Sequence, residues 1–256
     1  MGELEREVER TIQDSLSALG RDDLFRQAIV GASSADDPLY RELKEIVGPW
    51  HLAPREILPE ARTVVSYVVP FTRRVAASPV GDDDTSLWGE AYVTINDHFP
   101  VIDEAVCRLL RSRGWAACPM PKDAYQSNEE DARASWARPP RNAWSHRSGA
   151  AVAGLGTFGL NRLLIGPKGS AVRHSTVFTS AELSFPAPEL VARCPATHGG
   201  KCGACVAACP TGALTPESLD YARCSRRCIE MEEVLDRAGA TVCGRCIAAC
   251  PVAYIE

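Results

Sequence analysis

The sequence predicts an α+β protein in two parts: a mixed α/β body over residues 1–187 and a small cysteine-rich domain over residues 188–256. Three observations carry that prediction. Apolar residues recur at helical spacing near the start of the chain. An unbroken, β-branched apolar run occupies 63–69. Nine of the eleven cysteines fall in the last quarter. At 256 residues the chain can build one sizeable core and a small second domain.

The elements come in order along the chain. Leu4, Val8, Ile12, Leu16 and Leu19 lie three or four residues apart, which makes one apolar helix face, and Gly20 comes next as a stop signal. A second helix is expected over 37–49, with Pro38 in its first turn and Gly48-Pro49 at its end. The run 63–69 reads as a buried strand stopped by Pro70. Residues 81–84 read as a loop. A long helix is expected over 92–113, broken or kinked near Pro100, and a short strand over 115–118. Residues 122–141 are polar and irregular, as in a mobile segment or a lid over a site. Residues 162–165 and 172–178 read as strands paired across a Gly166-Pro167 turn.

The cysteines carry the chemistry. Cys202, Cys205 and Cys209-Pro210 form a C-x2-C-x3-C-P run, and Cys243, Cys246 and Cys250-Pro251 repeat it. This spacing wraps thiolates around one iron–sulfur cluster and sends the Cys-Pro thiolate to a second. Two 4Fe–4S clusters need eight thiolates, and the runs supply six. Cys194 completes one set with Cys202, Cys205 and Cys250. The other set is Cys209, Cys243 and Cys246 with Cys224 or Cys228. Zinc also favours C-x2-C pairs, but the Cys-Pro endings, the repeat and the intervening Gly and Ala favour clusters. Disulfides need an oxidising compartment. No apolar leader opens the sequence, so a cytoplasmic location and reduced thiols are expected. Cys107 lies on a helical apolar stripe and reads as a core thiol, as does Cys118.

Composition excludes some classes. No apolar run approaches the length of a bilayer span, so no membrane role is expected. A formal charge of −5 and the lack of a basic block argue against tight nucleic-acid binding. Arg133, Arg138, Arg141 and Arg147 make a local basic patch that suits an anionic ligand or a solvated surface. Gly154, Gly156 and Gly159 match G-x-G-x-x-G, but residues 161–167 look like a strand and a turn rather than a helix, which argues against a nicotinamide site. These glycines suit either a flat cofactor or tight packing.

Residues 57–65, then Trp144-Ser145-His146-Arg147, then 153–165, then the paired cysteine runs resemble epoxyqueuosine reductase and its shorter relatives in content and order. The resemblance covers about residues 50–254. It implies a nitroreductase-like α/β domain that binds cobalamin, joined to a ferredoxin-like domain with two 4Fe–4S clusters. Reductive dehalogenases are similar in this arrangement. The resemblance also implies cofactor contacts at Ser145, His146, Gly154, Gly156, Phe158, Gly159 and Asn161. Electrons would pass from a low-potential donor such as ferredoxin or flavodoxin through the clusters to the corrinoid. Such domains often pair, which leaves a homodimer open.

Two departures bear on function. The family carries an acidic proton donor just before the glycine loop, whereas 135–146 here holds no carboxylate. His146, Tyr125 and Asp123 are the candidate donors. The helical tail with which the tRNA-modifying enzymes hold tRNA has no counterpart in this sequence. The expected function is therefore a cobalamin-dependent iron–sulfur reductase acting on a small molecule rather than on tRNA. The alternative is an electron-transfer protein serving a partner's corrinoid or other redox centre. A third reading places flavin in the same domain.

Overall fold

The computed structural model describes residues 1–81, 85–121, 143–186 and 188–256. Asp123, Tyr125, Arg133, Arg138 and Arg141 lie outside the described residues. The chain order is α1 (Glu3–Ser17), β1 (Ile29–Ser34), α2 (Leu39–Ile46), α3 (Pro54–Ile57), β2 (Thr63–Pro70), α4 (Arg73–Ala76), α5 (Ser86–Ser112) and β3 (Ala117–Pro119). Next come α6 (His146–Val152), β4 (Thr157–Phe158), β5 (Leu164–Ile165) and β6 (Val172–Thr179). The cysteine-rich part holds α7 (Ala204–Ala207), α8 (Tyr221–Val234) and α9 (Arg245–Ala248).

The main sheet runs β1-β2-β6-β3, and each neighbouring pair is antiparallel. Successive side chains of a strand point to opposite faces. Val65, Tyr67 and Val69 of β2 therefore pack with Val8 and Ile12 of α1 and Ile95 and Ile102 of α5. Val64 packs with Trp144 and Phe178 on the other face, and Val68 with Ala150 and Leu155. With helices on both faces, every position of β2 is buried, which is why the sequence shows an apolar run instead of an alternation.

Three expectations change. α5 runs unbroken from Ser86 to Ser112 with Pro100 inside it. The proline removes one backbone donor, and burial of Trp88, Ile95, Phe99, Ile102, Val106 and Leu110 along one face holds the helix through it. β2 continues to Pro70, which stands opposite Val172. β5 pairs with β4 rather than with β6; β2 runs along the whole of β6, and β3 along Val177–Thr179. Cys107 is fully buried in the α1–α5 core.

The cysteine-rich part packs on the body. Val242 joins the α1–α5 core. The Ser170 and Ala171 N–H groups donate to the carbonyls of Val252 and Ala253 at 3.2 and 2.9 Å. Arg26 and Arg73 lie over the Tyr254 ring. Among the described residues no helix is long and apolar enough to cross a membrane.

Candidate metal centre and adjoining polar site

Each C-x2-C-x3-C-P run folds into the same device. A glycine, Gly203 or Gly244, caps a one-turn helix that carries the middle cysteine, Cys205 on α7 or Cys246 on α9. The two turns pack against each other. Proline after the third cysteine prevents the helix from continuing.

This pairing crosses the repeats. Cys194, Cys202 and Cys205 meet Cys250 of the second run around one small gap. Leu160, Asn161, Ile165, Pro195 and Pro251 complete the wall. Burial pushes the Cys205 and Cys250 thiols above their usual range. The Leu160 N–H donates to Cys194 Sγ at 3.4 Å.

The remaining thiols form a second neighbourhood. Burial pushes Cys246 up to about 12, and negative charge on Cys224, Cys243, Cys205 and Cys209 acts in the same direction. Cys246 thus lies between the two sets. Cys209 is different: against the upward push of burial, N–H groups of Leu214, Thr211 and Ala213 and the Thr211 hydroxyl hold its thiol below the usual range. Cys224 and Cys228 stand one turn apart on α8. The hydrogen bond between them holds the Cys224 thiol below its usual range and, with burial, pushes that of Cys228 up. Among the described residues no three Cys, His, Asp or Glu side chains converge on a point that one metal ion could fill.

The donor chemistry fits a cluster rather than a lone ion. Thiols spread around a gap suit a polynuclear core, whose ligands stand apart at its corners. The Asn161 side chain gives a second sign of fit. Its Oδ1 accepts from the Leu163 N–H at 3.2 Å. Its Nδ2 is buried without a partner, and Asn161 lines the cysteine gap. A donor left over at that wall suits an electron-rich sulfur. The Ser170 hydroxyl is likewise buried without an oxygen or nitrogen partner and lies beside Cys250.

The segment Trp144–Arg147 builds the neighbouring polar site. Trp144 is buried between Tyr40, His51 and Phe178 and donates to Thr176 Oγ1 at 3.3 Å. Ser145 caps α6, accepting from the Ser148 N–H. His146 Nδ1 meets Thr176 Oγ1 at 3.0 Å. Arg147 sends Nη1 to the Arg162 carbonyl at 3.1 Å. His174 and Arg173 of β6 lie beside them; Arg173 Nε donates to Asn96 Oδ1 and its guanidinium covers the Tyr92 ring at 4.3 Å.

Both histidines are uncharged at neutral pH. Burial, reinforced by Arg173, lowers His146 to about 4. Burial with Arg147, Arg173 and His146 lowers His174 well below its usual range. His146 is therefore no imidazolium donor at pH 7. His98 is tied to the Ser15 carbonyl.

The glycines serve packing. Gly154 lies just past α6 at φ +73°. A Cβ on Gly156 would stand 2.6 Å from the Ile165 carbonyl oxygen. Phe158 is exposed, and a Cβ on Gly159 would lie 3.4 Å from the Cys194 Cβ. This loop thus presses against the cysteine-rich part. Sequence reasoning missed Thr176, Arg173, Tyr92 and Tyr221, which reach the site only through β6, α5 and α8, and no local motif marks them.

Three solved structures share this architecture. Epoxyqueuosine reductase from Streptococcus thermophilus matches with TM-score 0.56 and 17% identity over 96% of this chain and 66% of its own. Epoxyqueuosine reductase in complex with an epoxyqueuosine-modified tRNA stem loop matches with TM-score 0.56 and 20% identity over 99% and 68%. A catabolic reductive dehalogenase matches with TM-score 0.57 and 16% identity over 87% and 29%. The chain has their fold. It spans about two thirds of the length of the epoxyqueuosine reductase chains. No family model and no curated protein matches it.

Proposed function

We propose that this chain is an iron–sulfur oxidoreductase with two 4Fe–4S clusters. One is held by Cys194, Cys202, Cys205 and Cys250, the other by Cys209, Cys243, Cys246 and one of Cys224 and Cys228, in a ferredoxin-like arrangement. The observation that carries this reading is the meeting of three thiols from the two repeats with Cys194 around one gap. Metal binding at such thiols must displace protons that burial holds in place, and N–H donors at Cys194 and Cys209 ease that charge.

In this reading the electron acceptor lies against α6 and β6, beside Cys224 and Cys246. Cobalamin fits that face: its rim carries carboxamides, and His174 Nε2 and Arg147 Nε are buried without partners there. When bound, it supplies the low-potential chemistry, and the protein supplies position and electrostatics. Thr176 orients His146, and Trp144 fixes the start of α6. A small-molecule substrate, a ferredoxin or flavodoxin donor, and cytoplasmic residence complete the proposal.

The neutrality of His146 favours one alternative: an electron-transfer protein that passes electrons to a partner's redox centre. The test is anaerobic reconstitution with iron, sulfide and hydroxocobalamin, and then gel filtration. Cobalt retained in equal molar amount with protein supports the reductase. Iron retained without cobalt moves the assignment to the electron carrier.

A further inference from the structure

We infer that Arg147 makes the two clusters electrostatically unequal, holding the cluster on the Cys209, Cys243 and Cys246 side at the higher reduction potential. This deepens the two-cluster reading and rests on it. Arg147 sits in the first turn of α6. Its Nη1 meets the Arg162 carbonyl, and its Nε is buried without a partner. It makes no ion pair with a carboxylate among the described residues. The groups close enough to affect its charge are Arg173, of like sign, then Tyr221, Tyr92 and Cys246. Cys224 feels it in turn.

A buried cation without a counter-ion is costly. A cluster with thiolate ligands carries net negative charge and supplies that counter-ion. Reduction adds one more negative charge, so a nearby guanidinium favours the reduced form. Arg227 and Arg245 also adjoin Cys243, but Arg227 faces Glu230 at 3.8 Å. The gap of the other set is walled by Leu160, Asn161, Ile165, Pro195 and Pro251, with no charged side chain. Cluster potential depends on net charge, hydrogen bonds to sulfur and solvent exposure. The thiols that feel the Arg147 charge, Cys224 and Cys246, both belong to the second set.

The test is potentiometric titration, monitored by electron paramagnetic resonance, of the full chain reconstituted anaerobically with iron and sulfide. In wild type the clusters must differ in potential. C194S should lose one cluster, and the survivor must be the one of higher potential. In R147Q the ratio of reduced to oxidised form of that cluster, at the potential that half-reduces it in wild type, should fall by about tenfold, about 59 mV for one electron. The other cluster should stay put, and R147K should keep most of the wild-type value. A survivor of lower potential in C194S overturns the inference, as does an R147Q protein with unshifted or equally shifted clusters. Wild-type protein with less iron than two clusters need would instead overturn the two-cluster reading.

Discussion

Replacing Asp103 by asparagine should flatten a pH dependence of stability that has nothing to do with the clusters. Asp103 is a buried carboxyl on α5. It accepts from the Tyr67 hydroxyl at 2.7 Å and the Ser175 hydroxyl at 2.8 Å. Burial outweighs these two donors and raises its pKa from 3.8 to about 7. A raised carboxyl pKa means that the folded state holds a proton the unfolded chain releases. The associated stability is complete below about pH 4 and is lost as pH rises to about 7. A gap of about 3 pKa units, at about 1.4 kcal/mol each, makes the loss about 4 kcal/mol. D103N keeps the shape and removes the charge, so it escapes the loss. For a chain of this length that corresponds to roughly ten degrees in Tm. Thermal unfolding of wild type and D103N, compared at pH 5 and pH 8, isolates the effect, because the pH responses of other groups cancel in the difference. D103N should gain on wild type by several degrees between pH 5 and pH 8. An equal Tm difference at both pH values would show that Asp103 does not hold its proton in the folded state.

Other expectations come from the site. C194A should lose about half of the bound iron and C107A none, by iron analysis, since Cys107 lies in the apolar core. Of C224A and C228A, one should lose a cluster and the other keep both, by the same assay. G156A should lower stability by about 2 kcal/mol or more, read as a fall in Tm, because backbone cannot yield to a Cβ 2.6 Å from the Ile165 oxygen. Proton resonances of His146 should show no titration between pH 5.5 and 8, since its pKa lies at about 4.

Some of the fold and site was legible in the sequence, for local reasons. The helix α1 is implied by the spacing of Val8, Ile12 and Leu16, all of which are buried. The β2 run announced a strand covered on both faces. The spacing of Cys202, Cys205 and Cys250-Pro251, with Cys194 upstream, anticipated thiols that the structure brings together. What escaped was set by distant packing. Pro100 suggested a break, yet the apolar face of α5 outweighs one lost hydrogen bond. Arg147 read as part of a surface patch, because nothing near residue 147 says that Cys246 lies beside it. His146 looked like a neutral-pH acid until its burial beside Arg173 was seen.

The most direct measurement is iron and acid-labile sulfide analysis, with Mössbauer spectroscopy, of the full chain reconstituted anaerobically. The two-cluster assignment predicts the iron and equimolar sulfide of two 4Fe–4S clusters, all iron in cluster form. Iron for a single cluster, or zinc retained with no sulfide, would contradict it.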